Sequence, residues 1–296
     1  MKKPTISVSM IVKNEEKILQ QCLETIKQAD EIIIIDTGSS DNTIQIAKQY
    51  TTKIYSGPEY QWKDDFAHSR NQSLKQCTSD YILIIDADET LEEGGIEQLK
   101  KLLAEQPTTN SFNLTLQSKT GKETFHNTRI FKNNEGIEWK GRVHNYLNIH
   151  TTNNLPVTIT YGYSPAHAQD PDRALRILKS VLEENPLAVR ETYYLAREYF
   201  YRKDYNNAIK HYNDYLTRGV YGAEIADTHL MLCYCYQAIG DNNNARDSAL
   251  RAVFTNTNFR EAIKQLIHLS GPINKKRWSA FLEGATNDQV LFKRGD

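Results

Sequence analysis

The chain has 296 residues, of which 39% are hydrophobic and 25% charged, and its 36 Lys plus Arg against 37 Asp plus Glu leave a net charge of −1. That length predicts about two domains, and the apolar share is too high for general disorder. The balanced charge argues against a nucleic-acid protein held by a broad basic surface, and no apolar run reaches the ~18 residues that cross a bilayer, so a soluble cytoplasmic protein is expected.

Ile6–Val12 is β-branched and apolar and predicts a strand. Glu15–Lys27 follows with Ile18, Leu19, Cys22, Leu23 and Ile26 on one helical face, and Asn14 stands where an N-cap belongs. Glu31–Asp36 is a continuous apolar strand ending in a carboxylate. Gly38-Ser39-Ser40 turns the chain, and Asp41 can cap a helix over Thr43–Gln49. A short strand over Thr52–Ser56, a helix over Phe66–Gln76, a buried strand over Tyr81–Ile85 and a helix over Gly94–Ala104 complete the alternation. Apolar strands separated by helices predict an α/β fold with a mostly parallel, Rossmann-like sheet covered on both faces.

From about Thr108 the pattern changes. Ser111–Gln117 and Thr124–Phe131 alternate around Gly121 and read as antiparallel strands, while Asn133–His150 reads as loop. From Asp172 helices dominate, beginning with Arg173–Leu182 and ending with Glu261–Leu269. Between them Leu195, Ala196, Tyr199, Ala208 and Tyr212 recur 37 residues later as Leu232, Cys233, Tyr236, Ala245 and Ala249. The spacing is close to the ~34-residue tetratricopeptide period, so an α-helical region of tetratricopeptide type is expected. The predicted boundaries are a sheet domain over 1–168 and a helical domain over 169–296. Cys22, Cys77, Cys233 and Cys235 are few and scattered, and Cys233-x-Cys235 lacks a second pair at zinc spacing, so buried free thiols are expected.

The chemistry collects where strands end. In open α/β sheets ligands bind beyond the carboxyl ends of the strands, and Asp36 and Asp86-Ala87-Asp88-Glu89 fall there. No Lys or Arg lies beside the second group in sequence to pair its acids. Close carboxylates repel, and a divalent cation removes the conflict; oxygen ligands with room for phosphates suit Mg²⁺ or Mn²⁺.

The run Ser7-Val-Ser-Met-Ile-Val-Lys-Asn-Glu-Glu16, then Asp36-Thr-Gly-Ser-Ser-Asp-Asn-Thr43, then Asp86-Ala-Asp-Glu89 resembles family 2 glycosyltransferases of the GT-A fold. Trp62-Lys-Asp-Asp-Phe-Ala-His-Ser-Arg-Asn71 narrows the resemblance to a bacterial subgroup that joins this domain to tetratricopeptide-like helices and includes peptide S-glycosyltransferases of the glycocin type. The strong motifs cover Ile6–Glu89, with a looser match to Tyr163. The resemblance implies an inverting, metal-dependent transfer from a nucleoside-diphosphate sugar, UDP first. Val12, Glu15, Asp36, Thr37 and Asp41 would hold base and ribose. Arg70 would lie near the nucleotide or the acidic pair, Asp86 would orient the sugar or ribose, Ala87 would lie along the donor, and Asp88 would bind the metal bridging the diphosphate.

The acceptor side departs from the pattern. The segment Glu138-Trp-Lys-Gly-Arg-Val-His144-Asn145 looks like the acceptor loop, where related sequences commonly have His-Glu. Thr160 stands where the family often has a metal-binding His. Glu138, Asp64, Asp65 or His144 would then serve as base, or a thiol acceptor would need little help, or the chain would be an impaired transferase retained as a binding scaffold. His144 is also a candidate metal ligand, His167 a further ligand or base, and Trp62 and Trp139 candidates for stacking. The acceptor stays open: a peptide or protein fits the repeats, and a growing polysaccharide or lipid-linked glycan fits many relatives of the sheet domain. Exposed tyrosines such as Tyr201, Tyr205 and Tyr221 are candidate peptide contacts, and homodimerisation through helical faces is open. Nucleotidyl transfer is a rival chemistry, but no basic, Gly-rich triphosphate segment lies near the first strand.

Overall fold

The computed structural model describes residues 3–133, 135–288 and 290–291. The chain divides into two compact units, Met1–Arg173 and Ala174–Asp296.

The first unit is built on an eight-stranded sheet. Its strands are β1 (Ile6–Val12), β2 (Glu31–Asp36), β3 (Ile54–Tyr55), β4 (Tyr81–Ile84), β5 (Glu89–Leu91), β6 (Ser111–Ser118), β7 (Thr124–Lys132) and, after a separate pair β8 (Trp139–Lys140) and β9 (Tyr146–Leu147), β10 (Asn154–Tyr161). The order across the sheet is β3-β2-β1-β4-β7-β6-β10-β5. β3, β2, β1 and β4 run parallel. β7 is antiparallel to β4 and β6, β10 is parallel to β6, and β5 closes the edge antiparallel to β10.

Helices α1 (Leu19–Ile26), α2 (Thr43–Ala47), α3 (Phe66–Gln76) and α4 (Gly95–Glu105) cover the sheet. Alternation along β1 explains the two faces. Ile6, Val8, Met10 and Val12 point into a core with Leu19, Leu23 and Ile26 of α1 and Ile96, Leu99 and Leu103 of α4. On the other face Ile33, Ile82 and Ile84 meet Leu74, Cys77 and Phe131. Each such side chain stabilises the fold by roughly 1.5–3 kcal/mol on burial. Ser7 and Ser9 of β1 face the α3 side, where Ser9 Oγ donates to Ser73 Oγ at 2.8 Å and Ser7 hydrogen-bonds the buried Glu31. Small hydroxyls there let α3 lie close to the sheet.

Three local expectations change. The first helix begins at Leu19, not Glu15, and Asn14 is not its cap: with φ at 58° it occupies the left-handed region that Asn tolerates. β5 and β10 were not legible, because β5 is three residues of an acidic motif and β10 carries Pro156, accommodated where the register shifts between Asn154 and Thr158. The loop-like stretch after Asn133 contains the β8–β9 hairpin.

The second unit is helical: α5 (Arg173–Glu184, which starts one residue earlier), α6 (Val189–Tyr201), α7 (Tyr205–Leu216), α8 (Gly222–Ala238), α9 (Asn242–Thr255), α10 (Arg260–His268) and α11 (Pro272–Glu283). The repeat falls on α6–α7 and α8–α9. Ala196, Ala208, Cys233, Ala245 and Ala249 are fully buried, so each hairpin closes over small residues. The turns repeat as well. Lys203 and Gly240 both have positive φ, and Asp204 and Asp241 cap the next helix by accepting from the N–H of Asn207 and Asn244. α11 was not anticipated; among its residues none is buried, so it lacks the apolar stripe that signals a packed helix. Cys22, Cys77, Cys233 and Cys235 are buried free thiols. Among the described residues no helix is long and apolar enough to cross a membrane.

Candidate active site

The carboxyl ends of β1, β2 and β4 lie side by side, with Val12 in register with Asp36. The two loops leaving β1 and β2 are tied together residue by residue. Thr37 donates its N–H and its hydroxyl to the Val12 carbonyl at 3.0 and 3.1 Å. Asn14 donates its N–H to Ser39 Oγ at 2.9 Å and accepts from the Ser40 N–H at 2.8 Å, which is the use its left-handed backbone serves. Asp36 is buried and accepts from the N–H groups of Gly38 and Ser39 at 3.2–3.3 Å. Gly38 has φ at 105°, and a Cβ there would come within 2.5 Å of Gln61 Oε1, so only glycine fits.

Asp41 accepts from Thr43 and from the Glu16 N–H at 3.2 Å, fixing the start of α2 against the approach to α1. Burial alone would raise its carboxyl, but these hydrogen bonds from Thr43 and Glu16 outweigh it and hold it below the usual range. Glu15 donates its N–H to Thr43 Oγ1 at 2.8 Å, and its carboxylate accepts from Ser164 Oγ at 2.6 Å. Its pKa is pushed up to about 7, first by burial, against the Ser164 bond, and further by the charges of Asp88, Asp41 and Asp86. Acids from three loops therefore share one field.

No basic residue beside the Asp86–Glu89 acids in sequence pairs them, but two arginines reach them in space, and one is Arg70, which the family resemblance puts near the nucleotide or this acidic pair. Arg70, on α3, places Nη2 2.7 Å from Asp86 Oδ1. Arg129, on β7, grips Glu89 with two bonds of 3.1 and 2.6 Å and lies 3.9 Å from Asp86. Both partners are distant in sequence and arrive only with the sheet topology. Glu89 also accepts from the Asp86 N–H at 2.8 Å, and Asp86 accepts from the Glu89 N–H at 3.0 Å, so the turn is closed on itself. Burial raises Glu89 to about 7 despite Arg129. The Asp88 carbonyl accepts from the Gly162 N–H at 2.9 Å, which ties this turn to the end of β10. Ala87 is buried between the two aspartates.

Arg70 also stacks its guanidinium 4.9 Å over Trp139. Asn71, its neighbour on α3, holds Trp139 by donating to its carbonyl at 2.9 Å and accepting its N–H at 2.8 Å. Trp62 packs edge-on to Phe66 at 4.6 Å and donates Nε1–H to Asp64 at 2.8 Å.

The acceptor-side candidates are dispersed. Asp65 caps α3 by accepting from the His68 N–H at 2.8 Å. Glu138 is half-exposed and ion-paired with Lys140. His144 sits exposed in the β8–β9 loop with φ at 48°. Asn145 has its side-chain nitrogen buried without a hydrogen-bond partner. The side chain of His167 lies outside the described residues. Among the described residues no three His, Cys, Asp or Glu side chains converge as a metal cage. A hard cation that keeps waters and phosphate oxygens in its shell needs only one or two protein carboxylates, and Asp88 with Asp86 fits that pattern. Burial is the main cause of the raised Glu15, and a cation held by the neighbouring acids would offset only the smaller part that Asp88, Asp41 and Asp86 add.

The family model described as Glycosyl transferase family 2 matches residues 7–188, more than half of the chain. The chain belongs to glycosyl transferase family 2. A TPR repeat-containing protein of Synechococcus elongatus is 31% identical over 192 residues, covering 60% of this chain and 47% of that protein. The glycosyltransferase SunS of Bacillus subtilis is 31% identical over 145 residues, covering 48% of this chain and 34% of its own. The chain thus spans a third to a half of the length of these relatives. Among solved structures, S. aureus TarS 1–349 in complex with UDP-GlcNAc superposes with a TM-score of 0.50 over 84% of this chain and 91% of that one. At 13% identity that likeness concerns the fold.

Arg129 is the site residue that sequence reading missed. It stands in an alternating strand, 40 residues after Glu89, and its only signal was a charged side chain among the apolar positions Ile130 and Phe131.

Proposed function

We propose that the first unit transfers a sugar from a UDP-sugar to an acceptor with inversion at the anomeric carbon, and that the acceptor is a peptide or protein side chain. The observation that carries this reading is the cluster of Glu15, Asp41, Asp86 and Asp88 beyond β1, β2 and β4, with Arg70 and Trp139 at its side. TarS, which shares the fold, binds UDP-GlcNAc, and SunS is a glycosyltransferase. The helical unit and the glycocin-type resemblance support a peptide acceptor over a glycan.

In this reading the Val12–Glu15 and Asp36–Asp41 loops hold the nucleoside. Their mutual hydrogen bonds keep the loops in place before the donor arrives. Carboxylates there accept from ribose hydroxyls and a uracil N–H. Arg70 sets the rotamer of Asp86, which orients the donor sugar. Asp88, with Asp86, would hold Mg²⁺ or Mn²⁺, whose charge offsets that of the leaving diphosphate. The proton of the acceptor goes to a base on the far side of the sugar. Glu138, Asp64, Asp65 and His144 are the candidates for that base. A thiol acceptor, ionising near pH 8.5, would need the least help.

The test is thermal unfolding against nucleoside diphosphates and nucleotide sugars, with and without Mn²⁺. At ~100 times Kd, binding stabilises by about 2.7 kcal/mol, a rise of about 5–8 °C for a unit of this size. A shift with a UDP-sugar that needs Mn²⁺ and is lost in Asp88→Asn is expected. No shift with any nucleotide, from folded protein, would sink the proposal and favour a scaffold role.

A further inference from the structure

The second unit carries a groove among α9, α10 and α11. It has a volume of about 450 Å³, with Leu266 of α10 at its floor, Arg246 and Leu250 on the α9 wall, and Arg277, Trp278 and Phe281 on the α11 wall. Leu266 is buried, whereas Arg246, Arg277 and Phe281 are exposed. The apolar surface continues beyond the groove. Phe254, two turns after Arg246 along the same α9 row, is 80% exposed, and Ile273 at the start of α11 is 75% exposed. Phe281 on the α11 wall is 42% exposed and gives a partner an aromatic ring to cover.

The charge of the groove is one-sided. Two guanidinium groups line it, and no carboxylate does among the described residues. Elsewhere in this unit arginines find acids: Arg251 pairs with Asp247 at 2.7 Å and Arg218 pairs with Asp214. Arg246 and Arg277 have no such partner among the described residues. On α11, Lys275 and Lys276 precede Arg277, and Glu283 is the helix's one acid. The surface therefore presents positive potential around an indole and a phenyl ring. An anion alone, such as a phosphate polymer, would satisfy the arginines and leave Phe281 and the exposed edge of Trp278 in water. A neutral apolar partner would cover the rings and strand the arginines. A peptide segment with acidic side chains flanking one aromatic or aliphatic anchor satisfies both, with the anchor over Leu266 and carboxylates on Arg246 and Arg277.

We infer that the α9–α10–α11 groove docks an acidic, apolar-anchored segment of a partner protein, at a site separate from the donor-binding loops. The inference does not depend on the sugar-transfer proposal, since every residue it uses lies in the second unit.

The test pans a display library of random 12-residue peptides on the full chain, with the R246E/R277E chain as counter-selector. Enriched sequences are expected to combine two or more Asp or Glu with a Leu, Ile, Phe or Trp. A fluorescein-labelled enriched peptide should lose at least tenfold in affinity on R246E/R277E and on W278A. The same peptide with its acids changed to Lys should prefer the charge-reversed chain. Both arginines are exposed, so melting temperatures should match wild type; R246Q/R277Q replaces the reversal if they do not. Enrichment of sequences without acids, full competition by polyglutamate, or no enrichment over the counter-selector overturns the inference. So does self-association of the wild-type chain in sedimentation that R246E/R277E abolishes, because the occupant is then a second copy.

Discussion

Replacing Arg129 with Met tests whether the acidic turn after β4 depends on a charge brought from β7. Glu89 is 4% exposed and Arg129 9%, and their two bonds of 3.1 and 2.6 Å have little water to replace them. Breaking a buried pair by removing one partner typically costs about 3–5 kcal/mol where the other group stays ionised, which here means above the raised pKa of Glu89; below it Glu89 takes up a proton and the cost is smaller. For a unit of this size that lowers Tm by about 8–14 °C. Glu89→Gln should cost less, about 1–2 kcal/mol. Burial already makes the Glu89 charge expensive, and Arg129 keeps Asp86 at 3.9 Å. The double variant removes both charges and should fall short of the sum of the singles by about 2 kcal/mol.

The pH profile gives an independent reading. Glu89 sits near pKa 7 with Arg129 present. Without Arg129 it rises further, so the penalty on its ionised form is fully felt above that raised pKa. It is relieved as pH falls through that value toward the unfolded one near 4.5. Urea titrations of the four proteins from about pH 9 to pH 6 should therefore show the R129M deficit shrinking on acidification until about pH 7, where wild-type Glu89 itself takes up a proton, and no such shrinkage in the double variant. Additivity within 0.5 kcal/mol, or an R129M cost below 1 kcal/mol, would refute the assignment of Arg129 as the counter-charge of this turn.

Burial tends to raise Glu31, but hydrogen bonds from Lys53, Ser7 and Thr78 outweigh it and bring it to about 2. Glu31→Gln should then cost about 2–3 kcal/mol at pH 7, and the loss should fade as pH drops from 5 toward 2 in acid unfolding. Gly38→Ala forces a left-handed backbone and a contact with Gln61, so it should destabilise by about 1–3 kcal/mol in urea and weaken UDP binding in calorimetry. Tyr193 donates to the buried Asp227 at 2.6 Å, so Tyr193→Phe should cost about 1–3 kcal/mol, read as loss of amide-exchange protection in α6 and α8.

Sequence periodicity carried the parallel half of the sheet because β2 and β4 are mainly continuous apolar runs of strand length and β1 alternates serines with Ile6, Val8 and Met10 before ending in Ile11 and Val12. The tetratricopeptide offsets were equally plain, since Ala208 and Ala245 are small for a spatial reason. What stayed hidden depends on distant pairing. β5 takes its strand character from β10, and Glu89 takes its counter-charge from a strand on the other side of the motif. Asn14 looked like a cap because Asn favours both caps and left-handed turns, and only the fold chooses between them. The acidic loops were legible by position at strand ends; the state of their charges was not, since Glu15 owes its raised pKa to burial and to acids from other loops.

The turn at Lys203 and the turn at Gly240 have the same backbone sign, the same capping aspartate and the same Asn three residues on. They are interchangeable joints. A chain cut before Asp204 and rejoined before Asp241 loses one hairpin and keeps a native junction, and the reverse splice gains one. The length of the helical unit is thus adjustable in steps of one repeat.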